Sequence, residues 1–141
     1  MNKRLDRNTS TTIQQEHYSD FMNNLDLNPI TGLLAKVTNE DAVKQSLKNL
    51  IYTNRTERFY NPFIGSRLRS LMFEPMDSVT QQLLSKEINE TISNNEPRVE
   101  ILNVIVTPRE DQNRYDIKIV FRLINRPEQT LDLNLSLKRV R

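Results

Sequence analysis

The spacing of apolar residues changes character twice along this chain. Residues 1–38 show no usable period. Up to His17 the apolar residues are Met1, Leu5 and Ile13, too few to offset the entropy of ordering the segment. From residue 18 they become frequent, with Tyr18, Phe21, Met22, Leu25, Leu27, Ile30, Leu33 and Leu34, but Asn28-Pro29 and Thr31-Gly32 interrupt them with turn signals. Residues 1–38 therefore read as an extended N-terminal arm whose second half docks on something, another chain being one choice.

A helical period follows. Val43, Leu47, Leu50 and Ile51 fall at i, i+4, i+7 and i+8, which predicts a helix over 39–53 with one apolar face. Asn39 is its expected N-cap, and Glu40 and Asp41 lie in the first turn, where the helix dipole favours negative charge. Residues 55–65 read as a loop with a short extended piece at 58–60, since Pro62 keeps residue 61 out of the helical region. Leu68, Leu71 and Met72 predict a short helix over 66–73. A third helix spans 78–94, capped by Asp77 or Ser78, with Val79, Leu83, Leu84, Ile88 and Ile92 as its apolar face. Pro97 prevents its continuation.

The period then falls to two. Residues 99–106 are β-branched and strand-like, and their alternation slips near Ile101-Leu102, the mark of a bulge or of burial on both faces. Residues 108–114 read as a hairpin loop. Over 115–124, Tyr115, Ile117, Ile119, Phe121 and Leu123 oppose Asp116, Lys118 and Arg122. A turn at 125–128 leads to Leu131, Leu133, Leu135 and Leu137, alternating with polar residues over 129–138. This predicts a three-stranded antiparallel meander with one wet face. The fold class is α+β: N-terminal helices packed on a C-terminal antiparallel β-meander, forming a domain over 39–141 behind the arm. Open sheet edges would pair with another chain, unless Lys138, Arg139 and Arg141 merely protect them.

Composition narrows the functional classes. Only 36% of the 141 residues are hydrophobic and Ala stands only at 35 and 42, so the core must be built from Leu, Ile, Val and Phe. No apolar run approaches the roughly 18 residues of a membrane span, and the polar N-terminus is not a signal core. Without Cys there are no disulfides, thiolate metal sites or cysteine nucleophile, which suits a reducing compartment. A net charge of +2 is too small to suggest a nucleic-acid binder.

Candidate chemistry is sparse. Hydrolysis by paired carboxylates needs two of them about 5–9.5 Å apart. Glu90, Glu96 and Glu100 are neighbours in sequence, but nothing marks a cleft around them. His17 is the sole histidine and lies in the polar arm. Gly32 and Gly65 stand alone, so no phosphate-binding loop is present. No cofactor or metal site is expected. Arg55, Arg58, Arg67 and Arg69 cluster near Phe59 and Tyr60, but Glu57 and Glu74 dilute them, which favours a solvated or protein-binding face. The segment Asn95-Glu96-Pro97-Arg98-Val99 stands out at the helix-to-strand junction. It is either a helix stop with a local ion pair or a rigid corner presenting a carboxylate and a guanidinium to a partner.

The ordered set of short motifs resembles a known family. Asn39-Glu40-Asp41-Ala42-Val43 and Leu47-Lys48-Asn49-Leu50-Ile51 come first. Thr56-Glu57-Arg58-Phe59-Tyr60-Asn61-Pro62, Gly65-Ser66, Leu71-Met72-Phe73-Glu74-Pro75 and Glu96-Pro97-Arg98-Val99 follow. Together with Leu25-Asp26-Leu27 and residues 28–32, they resemble the baseplate wedge family of contractile phage tails, whose small members include a lysozyme-like T-even subunit. Related members occur in type VI secretion baseplates. The resemblance covers about residues 25–141 and leaves residues 1–20 without a match.

The resemblance implies a structural protein and not an enzyme, located in the virion tail baseplate and assembled in the host cytoplasm. It implies a fold like the interlocking part of the sheath subunit, and a place at the top of the wedge that templates the first sheath ring. Its implied partners are the larger wedge subunits, through their helical core bundle, and the tail sheath protein, in a ring of several copies. No small-molecule substrate, nucleic acid or membrane is implied. It assigns Glu96, Pro97 and Arg98 to partner binding, and makes 115–124 and 129–138 candidate strands for edge pairing. Alternatives are a type VI secretion component, a peptidoglycan hydrolase and a regulatory binding protein.

Overall fold

The computed structural model describes residues 18–139. The readings for His17 and Arg141 lie outside the described residues. The chain divides into two compact units, Met1–Ala42 and Val43–Arg141.

In the first unit, β1 (Ser19–Phe21) pairs antiparallel with β2 (Lys36–Thr38), and Leu27 bridges to Leu34. The described part of the arm is thus a hairpin. The turn signals that break its apolar pattern build its tip. Asn28 Oδ1 accepts the N–H groups of Ile30 at 2.9 Å and Thr31 at 3.3 Å, and the Asn28 N–H donates to the Leu33 carbonyl at 2.7 Å. Leu25, Leu27, Ile30 and Leu33 remain exposed.

Helix α1 (Asn39–Tyr52) starts in the first unit and runs into the second. Val43, Leu47, Leu50 and Ile51 are buried, as their spacing requires. Asn39 itself adopts φ +52°, a left-handed conformation that Asn tolerates. Helix α2 (Leu68–Leu71) is shorter than the predicted 66–73. Its end tightens into i→i−3 bonds from Phe73 to Ser70 and from Glu74 to Leu71, just before Pro75.

Helix α3 (Ser78–Asn95) is capped by Asp77, whose Oδ1 accepts the Thr80 N–H at 2.7 Å. Its buried face is Thr80, Leu84, Ile88, Thr91 and Ile92, whereas Val79 and Leu83 are exposed. The face is turned from the one predicted because Thr80 and Thr91, polar by type, take buried positions on it. Asp77→Ala is expected to lower the thermal midpoint by roughly 4 °C, and Asp77→Ser to restore most of it. Thermal denaturation followed by circular dichroism checks this, and an unchanged midpoint for the Ala variant would show that the cap contributes nothing.

The sheet order is β3 (Val99–Arg109), β4 (Arg114–Leu123), β5 (Arg126–Lys138), all antiparallel. The expected α+β class and meander are present. The register slips between Ile101 and Asn103, so the phase change in the sequence is a bulge at Leu102. Pro108 and Pro127 lie inside β3 and β5 and not in turns. Both strands are edges, where a residue without an N–H is tolerated. The connections shrink to a 3-10 turn at Glu110–Gln112 with Asn113 at φ +50°, and to Ile124 and Asn125.

β4 is the central strand, so the expectation that 115–124 offers an edge is corrected: β3 and β5 flank it on both sides. Tyr115, Ile117, Ile119, Phe121 and Leu123 are buried, joined by Leu131, Leu135 and Leu137. The other face is wet and carries ion pairs, most of them between strands. Arg122 grips Glu100 at 2.9 and 3.0 Å, and Asp116 meets Arg109 and Arg114 at 3.1 Å each. Helix α3 packs on β3, and Ser85 Oγ donates to the Val104 carbonyl at 3.2 Å.

Candidate functional site

The junction between α3 and β3 is fixed from both sides. The Glu96 N–H still makes a helical bond to the Ile92 carbonyl at 2.8 Å. Pro97 has no N–H to continue that pattern, and the chain turns. The Ile124 N–H then donates to the Arg98 carbonyl at 3.1 Å, beginning the β3–β4 ladder.

The corner's side chains divide between inside and outside. Glu96 is only 5% exposed, Pro97 is exposed, and the Arg98 side chain is 33% exposed. Arg98 Nε donates to Glu96 Oε1 and Nη2 to Oε2, each at 2.6 Å, a bidentate fork that fixes both planes. Oε2 also accepts the Ser46 hydroxyl, from α1, at 2.8 Å. Burial alone would raise the Glu96 carboxyl. The hydrogen bonds from Arg98 and Ser46, with the Arg98 charge, outweigh it and hold the group below the ordinary value of 4.5.

The corner is therefore a clamp with an outer rim. Glu96 faces inward and holds the guanidinium. Pro97 faces outward, and the Arg98 side chain is partly exposed. Sequence reasoning picked out 96–98 but missed Ser46, which lies 50 residues away and carries no signal beyond being a small polar residue beside buried Leu47.

The other carboxylates considered for chemistry are engaged by cations. Glu90 pairs with Lys86 at 3.8 Å within α3, and Glu100 pairs with Arg122 on the wet face. Hydrogen bonding from Arg122 holds the Glu100 carboxyl below its ordinary value. Among the described residues no cluster of three or more His, Cys, Asp or Glu could hold a metal. Arg55, Arg67 and Arg69 line one groove of about 480 Å³ with Ser66, Ser70 and Phe73, and Glu87 accepts the Arg67 backbone N–H at 2.9 Å. Phe59, Tyr60 and Phe63 stand fully out of the 55–65 loop.

A second feature lies at the outer edge of β5. A groove of about 360 Å³ runs beside it, with Ile51, Leu68, Met72 and Leu137 among its walls. Tyr52 reaches over this edge and donates its hydroxyl to the Ser136 carbonyl at 3.1 Å.

Residues 37–128 match the family model described as baseplate wedge protein gp25. Baseplate wedge protein gp25 of Enterobacteria phage T4 is 30% identical over 96 residues, which cover 68% of this chain and 73% of that protein. A Geobacter sulfurreducens protein solved under the name tail lysozyme superposes with a TM-score of 0.67 at 26% identity, covering 72% of this chain and 92% of its own. A chain of the anti-feeding prophage baseplate superposes with a TM-score of 0.62 at 19% identity, covering 88% and 87%, which shows a shared fold. The helices, the meander and the clamped corner lie largely within the matched stretch, and this chain belongs to the baseplate wedge protein gp25 family of contractile-tail systems.

Proposed function

We propose that this chain is a structural, non-catalytic wedge subunit that docks on the helical core bundle of larger wedge proteins through the 96–98 corner and templates the first sheath ring through the edge of β5. The observation that carries the docking part is the clamp. A buried carboxylate holding Arg98 in a bidentate fork fixes that guanidinium beside the exposed Pro97 ring. Groups held in place before binding lose little freedom on association. Arg is also well suited to interface contacts. Glu96 then serves as a positioning residue, with Pro97 and Arg98 as the contacts.

Family membership supports a place in the tail baseplate of the particle, with assembly in the host cytoplasm. Repeated around a ring, individually modest contacts reinforce one another through effective concentration. The fold is also shared with a chain of the type VI secretion system baseplate, which suits the alternative of a component of such a baseplate.

The test is co-expression of the full tagged chain with the tail proteins encoded beside it, wild type against Pro97→Glu. That substitution puts a charge on the exposed rim and keeps Glu96, Arg98 and Ser46, the groups that form the clamp. Recovery of the larger wedge subunits is expected to fall at least about tenfold, with an unchanged circular dichroism spectrum. Undiminished recovery would contradict docking through this corner.

The name of the Geobacter protein favours a second reading, a peptidoglycan hydrolase. Release of soluble fragments from purified cell wall, lost on Glu96→Gln or Glu100→Gln, would establish it. The structural reading predicts no release.

A further inference from the structure

We infer that the groove beside the outer edge of β5 selects an extended segment of a partner protein in which an apolar side chain is flanked by acidic ones. This rests on the strand-pairing reading above and adds what that edge accepts.

The register identifies the groups on offer. The Arg139 N–H donates to the Asn113 carbonyl at 2.9 Å, which makes 113 and 139 a hydrogen-bonded pair. Antiparallel ladders alternate bonded and non-bonded pairs. Continuing the register through Tyr115↔Leu137 and Ile117↔Leu135 leaves Asn134, Ser136 and Lys138 with N–H and C=O directed away from β4. Among the described residues no strand pairs with that edge.

One of these acceptors is covered by a side chain. The hydroxyl of Tyr52, a residue 47% exposed, holds the Ser136 carbonyl. An incoming strand would replace that single bond with its own N–H. Ile51, Leu68, Met72 and Leu137 line the groove beneath, giving an apolar seat for one side chain of such a strand. Arg69 and Lys138 also line it, and no acidic residue does. Side chains two apart on a strand lie about 6.6 Å apart, so the neighbours of the seated side chain come within reach of those cations. The charge of the lining therefore favours acidic neighbours and opposes basic ones.

The experiment uses the full chain and fluorescent nine-residue, threonine-rich peptides with a central valine and, two residues to either side of it, glutamate or lysine. The acidic peptide is expected to bind at least about tenfold more tightly than the basic one, and Arg69→Glu to remove most of that difference. Ser136→Pro removes an outward N–H without touching the β4 ladder and is expected to weaken binding about tenfold or more. Asn134→Pro does the same two residues away, should the first variant fold poorly. Tyr52→Phe is expected to strengthen binding about threefold by freeing the Ser136 carbonyl.

If both proline variants bind as wild type, strand pairing on this edge fails. If they abolish binding while Arg69→Glu and Tyr52→Phe change nothing, edge pairing stands and the selective groove is overturned. Absence of binding by either peptide also overturns it. So does concentration-dependent self-association of the chain that Ser136→Pro abolishes, since the occupant would then be a second copy.

Discussion

Replacing Arg98 with alanine is expected to lower the unfolding free energy by about 2–3 kcal/mol. The loss leaves the Glu96 carboxylate, 5% exposed, with the Ser46 hydroxyl in place of a bidentate guanidinium. A fully buried pair would cost more, but the Arg98 side chain is 33% exposed and water moderates the loss. Removing both partners is expected to cost less than the sum of the single losses, since no buried charge is then left behind. Equilibrium urea denaturation of the two single alanine variants and the double variant measures this. Strict additivity would show that the pair contributes nothing as a pair.

The same pair sets a pH dependence. The fold holds Glu96 below 4.5, so on acidification the unfolded chain takes up that proton first. Its contribution is fully present above the unfolded value and is lost as pH falls through the folded one. Asp77 and Glu100 are lowered as well, so the wild-type curve mixes several groups. The difference between wild type and Glu96→Gln isolates this one. It is expected to be greatest near neutral pH and to shrink as pH drops below 4.5. A difference that stays constant down to strongly acidic pH would contradict the clamp.

Gly65→Ala is expected to cost about 3 kcal/mol or more. Gly65 holds φ +122°, which side-chain-bearing residues rarely adopt, and an added Cβ would lie 2.6 Å from the Thr53 oxygen and 2.9 Å from the Asn54 carbonyl carbon. Both obstacles are backbone, and both are fixed. The Thr53 carbonyl accepts the Ser66 N–H at 2.8 Å, Asn54 bridges to Ser66, and the buried Ser66 hydroxyl donates to the Ile51 carbonyl at 2.8 Å. This lacing closes the 55–65 loop and holds Phe59, Tyr60 and Phe63 outward. Denaturation that shows a loss under about 1 kcal/mol would mean that the lacing gives way easily.

The sequence made some of this legible and hid the rest for identifiable reasons. Long periodic runs were readable: α1, α3 and β4 lie within a residue or two of their expected bounds. The buried face of α3 was misread because Thr80 and Thr91, polar by type, supply part of it. Pro108 and Pro127 read as turn residues because their tolerance depends on being at a sheet edge, a fact of strand order and not of local pattern. Strand order also decided which strands are open, and the pattern alone left that undetermined. At the corner, Glu96, Pro97 and Arg98 were visible as a stiff charged turn. That Glu96 faces inward depends on Ser46, and a contact across 50 residues leaves no mark on either neighbourhood. Gly65 was visible only as an isolated glycine. Its reason for being there lies at Thr53 and Asn54.

The central claim is that this chain is an assembly part that docks by its corner. Electron cryomicroscopy of baseplates reconstituted from the full chain and the tail proteins encoded beside it tests that most directly. The account predicts one copy in each wedge, with Pro97 and Arg98 against a helical bundle of larger subunits and a foreign strand alongside β5. A map that contains the chain with residues 96–98 facing solvent, or a complete baseplate without the chain, would contradict it.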